Sequence, residues 1–218
     1  MNWVRVVALI ALCVPVAGCG SSAEQVKGSG NVISENRTVS GYDSISLSGS
    51  GRIEIEQNGT EALSISADDN LLQYLTSEVK GHELVLEVKS GYNLSPSKPI
   101  VFKVGAKNLK GVSCAGDTNA TLKGIHSEEL KLSIAGSGDM SAEGSADRQD
   151  ISIAGSGKYV GGGLKSKDTK INIAGSGDAV LAASDNLDVT IAGSGSIKYF
   201  GDPKIKQSIV GSGTIDKQ

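Results

Sequence analysis

The chain has 218 residues, a formal net charge of −3 and an aromatic content of only 4%. No basic stripe is present and few rings are available for base stacking, which argues against a nucleic-acid partner. Its three cysteines, Cys13, Cys19 and Cys114, are too few and too scattered for a disulfide framework.

Residues 1–19 read as an export signal rather than as part of the fold. Arg5 supplies a positive charge, and Val6 to Val16 is apolar but too short for a stable bilayer-spanning helix. The run ends Val16-Ala17-Gly18-Cys19, which resembles the lipobox of bacterial lipoproteins. That resemblance implies a lipidated Cys19, and an anchor with more than one acyl chain gives stable membrane attachment. Gly20 after Cys19 resembles an outer-membrane sorting signal, so the expected location is the outer membrane or cell surface. Cys13 leaves with the signal, and Cys114 is then the one thiol of the mature chain.

Residues 20–27 are expected to be a flexible tether, and residues 28–108 an irregular β region. Asn31 to Val39 and Ser44 to Gln57 alternate as strands, Asn58-Gly59 signals a turn, and Leu63 to Ala67 is another strand. Asn70 to Lys80 carries Leu71, Leu72, Leu75 and Val79 at helix-like spacing with Asn70 as an N-cap, which suits either one short helix or a loop with an apolar plug. Glu83 to Lys89 and Ile100 to Val104 are strands around a Pro/Ser loop. This region is expected to cap the N-terminal end of residues 109–218, where an exposed sheet edge would otherwise invite aggregation.

Residues 109–218 repeat one phrase. It reads Ile134-Ala135-Gly136-Ser137-Gly138, and it returns from Ile153, Ile173, Ile191 and Ile209, with a degenerate copy at Cys114-Ala115-Gly116-Asp117. An early copy stands apart at Leu47-Ser48-Gly49-Ser50-Gly51. The first glycine recurs at 116, 136, 155, 175, 193 and 211, in steps of 18 to 20 residues. A fixed period of this size belongs to stacked repeats, because one such unit cannot bury its own apolar face. Alternation runs through the phrase, with Leu132, Ile134, Gly136, Gly138 and Met140 on one parity and Ser133, Ala135, Ser137 and Asp139 on the other. Period two means strand, with one buried and one solvated face. A second small-residue corner is read at Gly124, Gly144, Gly163, Ala183 and Gly201. The fold expected is all-β: a β-solenoid (parallel β-helix) of about 18–20-residue coils behind an irregular N-terminal β cap, in preference to a β-sandwich, whose strands would not repeat one phrase at one interval.

These residues also resemble a known family. Val39-Ser40-Gly41-Tyr42-Asp43-Ser44-Ile45-Ser46-Leu47 with the adjoining Ser48-Gly49-Ser50-Gly51 is similar to its opening, Asp69-Asn70-Leu71-Leu72 with Glu83-Leu84-Val85-Leu86 to its middle, and the Ala-Gly-Ser-Gly phrase to its end. The family is the head GIN domain family, labelled an auto-transporter adhesin and largely of unknown function. The resemblance covers Gly28 to Asp216 and implies a β-solenoid. It brings no catalytic residues, and here it is combined with a lipoprotein anchor and no translocating barrel.

Motifs that carry chemistry elsewhere find no support. Gly-Ser-Gly lacks the Gly-Lys-Ser/Thr ending and the helix that completes a phosphate loop. Asp139 and Asp178 would be separated by Lys158 in a stack, a poor cage for calcium. Cys114 occupies the isoleucine column and has no histidine or other base beside it, so it reads as a small buried hydrophobe. His82 and His126 are isolated and read as solvated. No catalytic set, metal cluster or cofactor site is expected, and the chain reads as non-enzymatic. What remains is an outward row, Ser137, Ser156, Ser176 and Ser194. It serves either as short bend residues or as a flat contact surface for glycan, another protein or an envelope component. The functional expectation is therefore a lipid-anchored envelope protein with an adhesin-like, interaction or structural role. The alternative is a carbohydrate-binding or carbohydrate-active β-helix protein. The oligomeric state is open.

Overall fold

The computed structural model describes residues 23–218. The export signal, the lipobox and Cys19 lie outside the described residues. The described strands are β1 (Glu24–Lys27), β2 (Val32–Arg37), β3 (Ser44–Glu56), β4 (Ala62–Asp68), β5 (Leu75–Lys80), β6 (Glu83–Val88), β7 (Tyr92–Ser95), β8 (Val101–Gly105), β9 (Gly111–Gly136), β10 (Asp139–Gly155), β11 (Lys158–Gly175), β12 (Asp178–Gly193), β13 (Ser196–Phe200), β14 (Lys204–Gly211) and β15 (Thr214–Lys217). The fold is all-β, with one 3-10 turn at Leu72–Tyr74 and no α-helix among the described residues. Thirteen strands form one open mixed sheet, whose principal path runs from β15 to β2, and β1 and β7 pair separately.

The repeated phrase sets the register. Ile134 lies beside Ile153, Ile153 beside Ile173, Ile173 beside Ile191 and Ile191 beside Ile209, all in parallel pairs. Each neighbour is therefore 18 to 20 residues further along the chain. β9, at 26 residues, exceeds one period. Its end turns back along its start: Lys131 N donates to Lys110 O at 2.8 Å and Ser137 N to Gly116 O at 3.3 Å. Period-two alternation then buries one parity. Leu132, Ile134, Ile151, Ile153, Ile171, Ile173, Val189 and Ile191 are all buried in one continuous apolar core. Burial of each such side chain contributes about 1.5–3 kcal/mol.

The glycines of the phrase meet two different demands. Gly155 has φ +122°, which L side chains rarely adopt, and a Cβ there would run into the Gly136 carbonyl of the preceding repeat. Gly157 is buried, and its Cβ would sit 2.5 Å from Gly138 O and 2.6 Å from Ile134 Cγ2. The first glycine turns the chain; the second lets successive backbones approach.

The N-terminal region departs from expectation in three places. The parallel stack begins before residue 109, because β3 pairs in register with β9 from Ser44–Gly111 to Glu56–Lys123. β6 and β8 lie parallel on β3, and antiparallel β4, β2 and β5 lie beyond them. Residues 24–27, expected in the tether, are strand β1, and its pairing with β7 joins segments far apart in sequence. Asn70 to Lys80 is neither helix nor plain loop. It is the 3-10 turn joined directly to β5, and Leu71, Leu72 and Leu75 plug the core. Asn70 caps no helix; its amide donates to Lys27 O at 2.8 Å and its Oδ1 accepts Ser29 N at 2.9 Å, which fastens the end of β1.

The second small-residue corner is not a column. Gly144 stands opposite Ile125 and Leu164, not Gly124 and Gly163, because the register shifts beside it on both sides. A bulge inserts an extra residue into one strand, which simple counting along the sequence passes over.

Candidate functional site

The in-register stacking of the phrase builds the serine row. Ser137, Ser156, Ser176 and Ser194 are exposed, and the glycines next to them, Gly138, Gly157, Gly177 and Gly195, are buried. The backbone N–H groups of Ser156, Ser176 and Ser194 each donate at 2.9 Å to a glycine carbonyl one repeat earlier. Among the described residues none of these four hydroxyls has a side-chain hydrogen bond, so the row presents free donors and acceptors. Ala135, Ala154, Ala174 and Ala192 form an adjoining exposed column in register. On the other side Asp139, Lys158 and Asp178 are also in register. They form no ion-pair ladder: among the described residues Lys158 makes no ion pair, and Asp178 Oδ1 accepts Ser196 N at 3.1 Å. The face carries small residues and few charges.

Cys114 is 3% exposed and continues one column, with Leu47 beside it and the isoleucines of the later repeats beyond. Burial pushes its thiol up to about 12, so the thiolate is not accessible at physiological pH. The two histidines are far apart: His82 Nδ1 is 3.3 Å from Gly41 O, and His126 Nδ1 is 2.9 Å from Ser145 Oγ. Among the described residues no group of three or more His, Cys, Asp or Glu could hold a metal, and no helix is long and apolar enough to cross a membrane.

A second feature was not anticipated from the sequence. A groove of about 1090 Å³ crosses the repeats away from the serine row. Its floor is a column of small residues, Ser127, Ala146, Ser166 and Ala183, in register from one repeat to the next, with Gly201 beyond them. One wall carries His126, Ser145, Lys165, Ala182 and Phe200, and the other Glu128, Asp147, Lys167, Ser184 and Asp202. Lys167 Nζ is 2.8 Å from Asp147 Oδ1, and each partner's pKa moves toward its charged form, chiefly through that hydrogen bond. Under the floor lies a buried polar cluster. Gln149 Nε2 donates to Ser166 Oγ at 2.8 Å and Thr169 Oγ1 at 3.0 Å, and Tyr159 OH donates to Gln149 Oε1 at 3.1 Å. Among the described residues no buried side-chain polar atom is left without a partner, as the cost of an orphaned one requires. The sequence signal for the groove was the run of small residues at the far corner, hidden by the bulges that offset it.

Proteins of Bacteroides and Parabacteroides are among the solved structures that resemble this one. A "putative adhesin" from Bacteroides fragilis superposes with a TM-score of 0.72 at 24% identity, over 88% of this chain and 100% of that one. A "putative lipid binding protein" from Parabacteroides distasonis gives 0.59 at 28% identity, over 89% and 100%. A "putative adhesin" from Parabacteroides merdae gives 0.58 at 24% identity, over 90% and 100%. Comparison with curated proteins finds no match. The family model described as "Putative auto-transporter adhesin, head GIN domain" matches residues 41–203, most of the described fold. The chain belongs to the head GIN domain family.

Proposed function

We propose that this protein is a lipid-anchored component of the bacterial cell envelope that makes adhesin-like, non-enzymatic contacts. The observation that carries the reading is the family match across residues 41–203. The export signal and lipobox at residues 1–19 support anchoring through Cys19, with the outer membrane or cell surface as the location. The long strands are coils of a β-solenoid with 18–20 residues each, a reading supported by the parallel in-register pairing of successive phrases. Such a stack holds a flat face away from the membrane. Ser137, Ser156, Ser176 and Ser194, with their free hydroxyls and alanine neighbours, form the contact surface toward an envelope protein or glycan.

Protease shaving of intact cells, combined with attachment assays, tests this reading. Shaving is expected to remove the domain, and the pair Ser156→Lys, Ser176→Lys is expected to weaken attachment while thermal unfolding stays the same. A domain protected in intact cells, together with attachment that ignores the pair, would overturn the surface role.

A further inference from the structure

We infer that the groove beside the bulged corner is a binding site for a linear, uncharged glycan. The inference rests on the envelope reading for the presence of such a polymer, but it concerns a different face from the serine row. The groove floor runs from Ser127 on β9 across β10, β11 and β12 to Gly201, just past β13, which at a spacing of roughly 4.8 Å makes it about 19 Å long. It therefore runs across the strands. Most floor backbone groups are committed to the ladder on both sides, so an occupant lying along the groove meets side chains and cannot add as a further strand. That disfavours an extended peptide, whose own N–H and C=O groups would lose water without gaining a ladder.

The charges on the walls select for neutrality. Asp147 pairs with Lys167, Asp202 with Lys217, Lys110 with Asp43 and Glu129 with Lys131. Among the described residues Lys165 on one wall and Glu128 on the other make no ion pair, so the lining as a whole sets three lysines against four acidic groups and offers neither a basic path for a polyanion nor a strongly acidic one for a polycation. These groups still offer what a sugar chain needs, because carboxylates accept from hydroxyls and ammonium groups donate to them at closely spaced positions. The repeat spacing is close to the advance of one ring in an extended glycan, so successive rings would meet successive repeats. At the C-terminal end Phe200, 44% exposed, offers an apolar face to a sugar ring.

The test is calorimetric titration of the full chain, held in a non-glycosidic detergent. The probes are hexamers of β-1,4-linked glucose, mannose and N-acetylglucosamine, with a galacturonate hexamer and an extended dodecapeptide as comparisons. At least one neutral hexamer is expected to bind. Phe200→Ala should weaken that binding about tenfold, and Ala182→Arg, which projects a long cation into the groove, should abolish it. Both variants should keep the parent's thermal unfolding. The inference is overturned if no neutral hexamer binds, if the groove variants bind unchanged, or if the galacturonate or the peptide binds more tightly. Each of those results leaves the envelope-contact reading standing, since that reading fails only on attachment and shaving.

Discussion

Ser156 and Gly157 are adjacent in sequence and opposite in consequence. Gly157 faces the interior, where a Cβ would lie 2.5 Å from a carbonyl oxygen and 2.6 Å from an isoleucine methyl. Gly157→Val is expected to destabilise by about 1–3 kcal/mol through overpacking, or more where the backbone cannot shift. Ser156 is exposed, and Ser156→Lys should stay within about 0.5 kcal/mol, as surface changes usually do. Chemical denaturation of the two variants checks the pair, and equal losses would contradict the inward and outward assignment. Cys114 belongs to the same scale. At 3% exposure it should react slowly with a thiol reagent in the native state and rapidly once unfolded. Cys114→Ser should cost about 1–3 kcal/mol by burying a hydroxyl in an apolar column. These assignments were legible in the sequence because parity is a local property, read from the alternation of Ile134, Ser137 and Gly138 without knowledge of what lies beyond the strand.

Whole elements were less legible, and the reason is the range of the interactions that fix them. β1 carries no sequence signal of its own; it exists because Glu24–Lys27 pairs with Tyr92–Ser95. The segment just after it is fastened by Asp68, whose carboxylate accepts Ser97 N at 2.8 Å, Ser97 Oγ at 2.5 Å and Gly30 N at 2.8 Å. The Ser97 hydroxyl, then the Ser97 and Gly30 N–H groups, hold this carboxyl below the usual carboxylate range. The ionised form is thus the one the fold prefers. Its stabilisation is complete above the ordinary carboxylate pKa and is lost as pH falls through the lowered folded value. Hydrogen exchange, corrected for intrinsic rates, should show β1 protected at neutral pH and loosened in acid ahead of β10 and β11. Asp68→Asn should loosen β1 at neutral pH, since an amide offers fewer acceptors to the same three donors. A β1 whose protection ignores both acid and the substitution would remove Asp68 as its fastener. The bulge beside Gly144 illustrates the same limit: one inserted residue moves a corner out of its column, and only the partner strand reveals it.

At the scale of the molecule, stability should be graded along the stack, because each repeat is held chiefly by its neighbours. The period of 18 to 20 residues in the sequence matches the parallel, in-register pairing of successive phrases, but it does not tell how the ends of the sheet are finished. At the N-terminal end β6 and β8 pair along β3. At the other end β14 pairs with β12, every residue of β14 is exposed, and Val210 is 72% and Ile209 36% accessible. Ile209 continues the column of Ile173 and Ile191, and among the described residues no strand pairs with β14 on its far side. Ile173→Ala should therefore cost about 2–5 kcal/mol, as removal of a fully packed isoleucine does. Ile209→Ala should cost well under half of that, since its side chain already meets water. Amides of β14 and β15 should likewise exchange faster than those of β10 and β11, which have partners on both sides. Equal losses for the two isoleucine variants, with uniform exchange along the chain, would mean that the last repeat is covered in solution, and the open C-terminal end would then have to be redrawn as an interface.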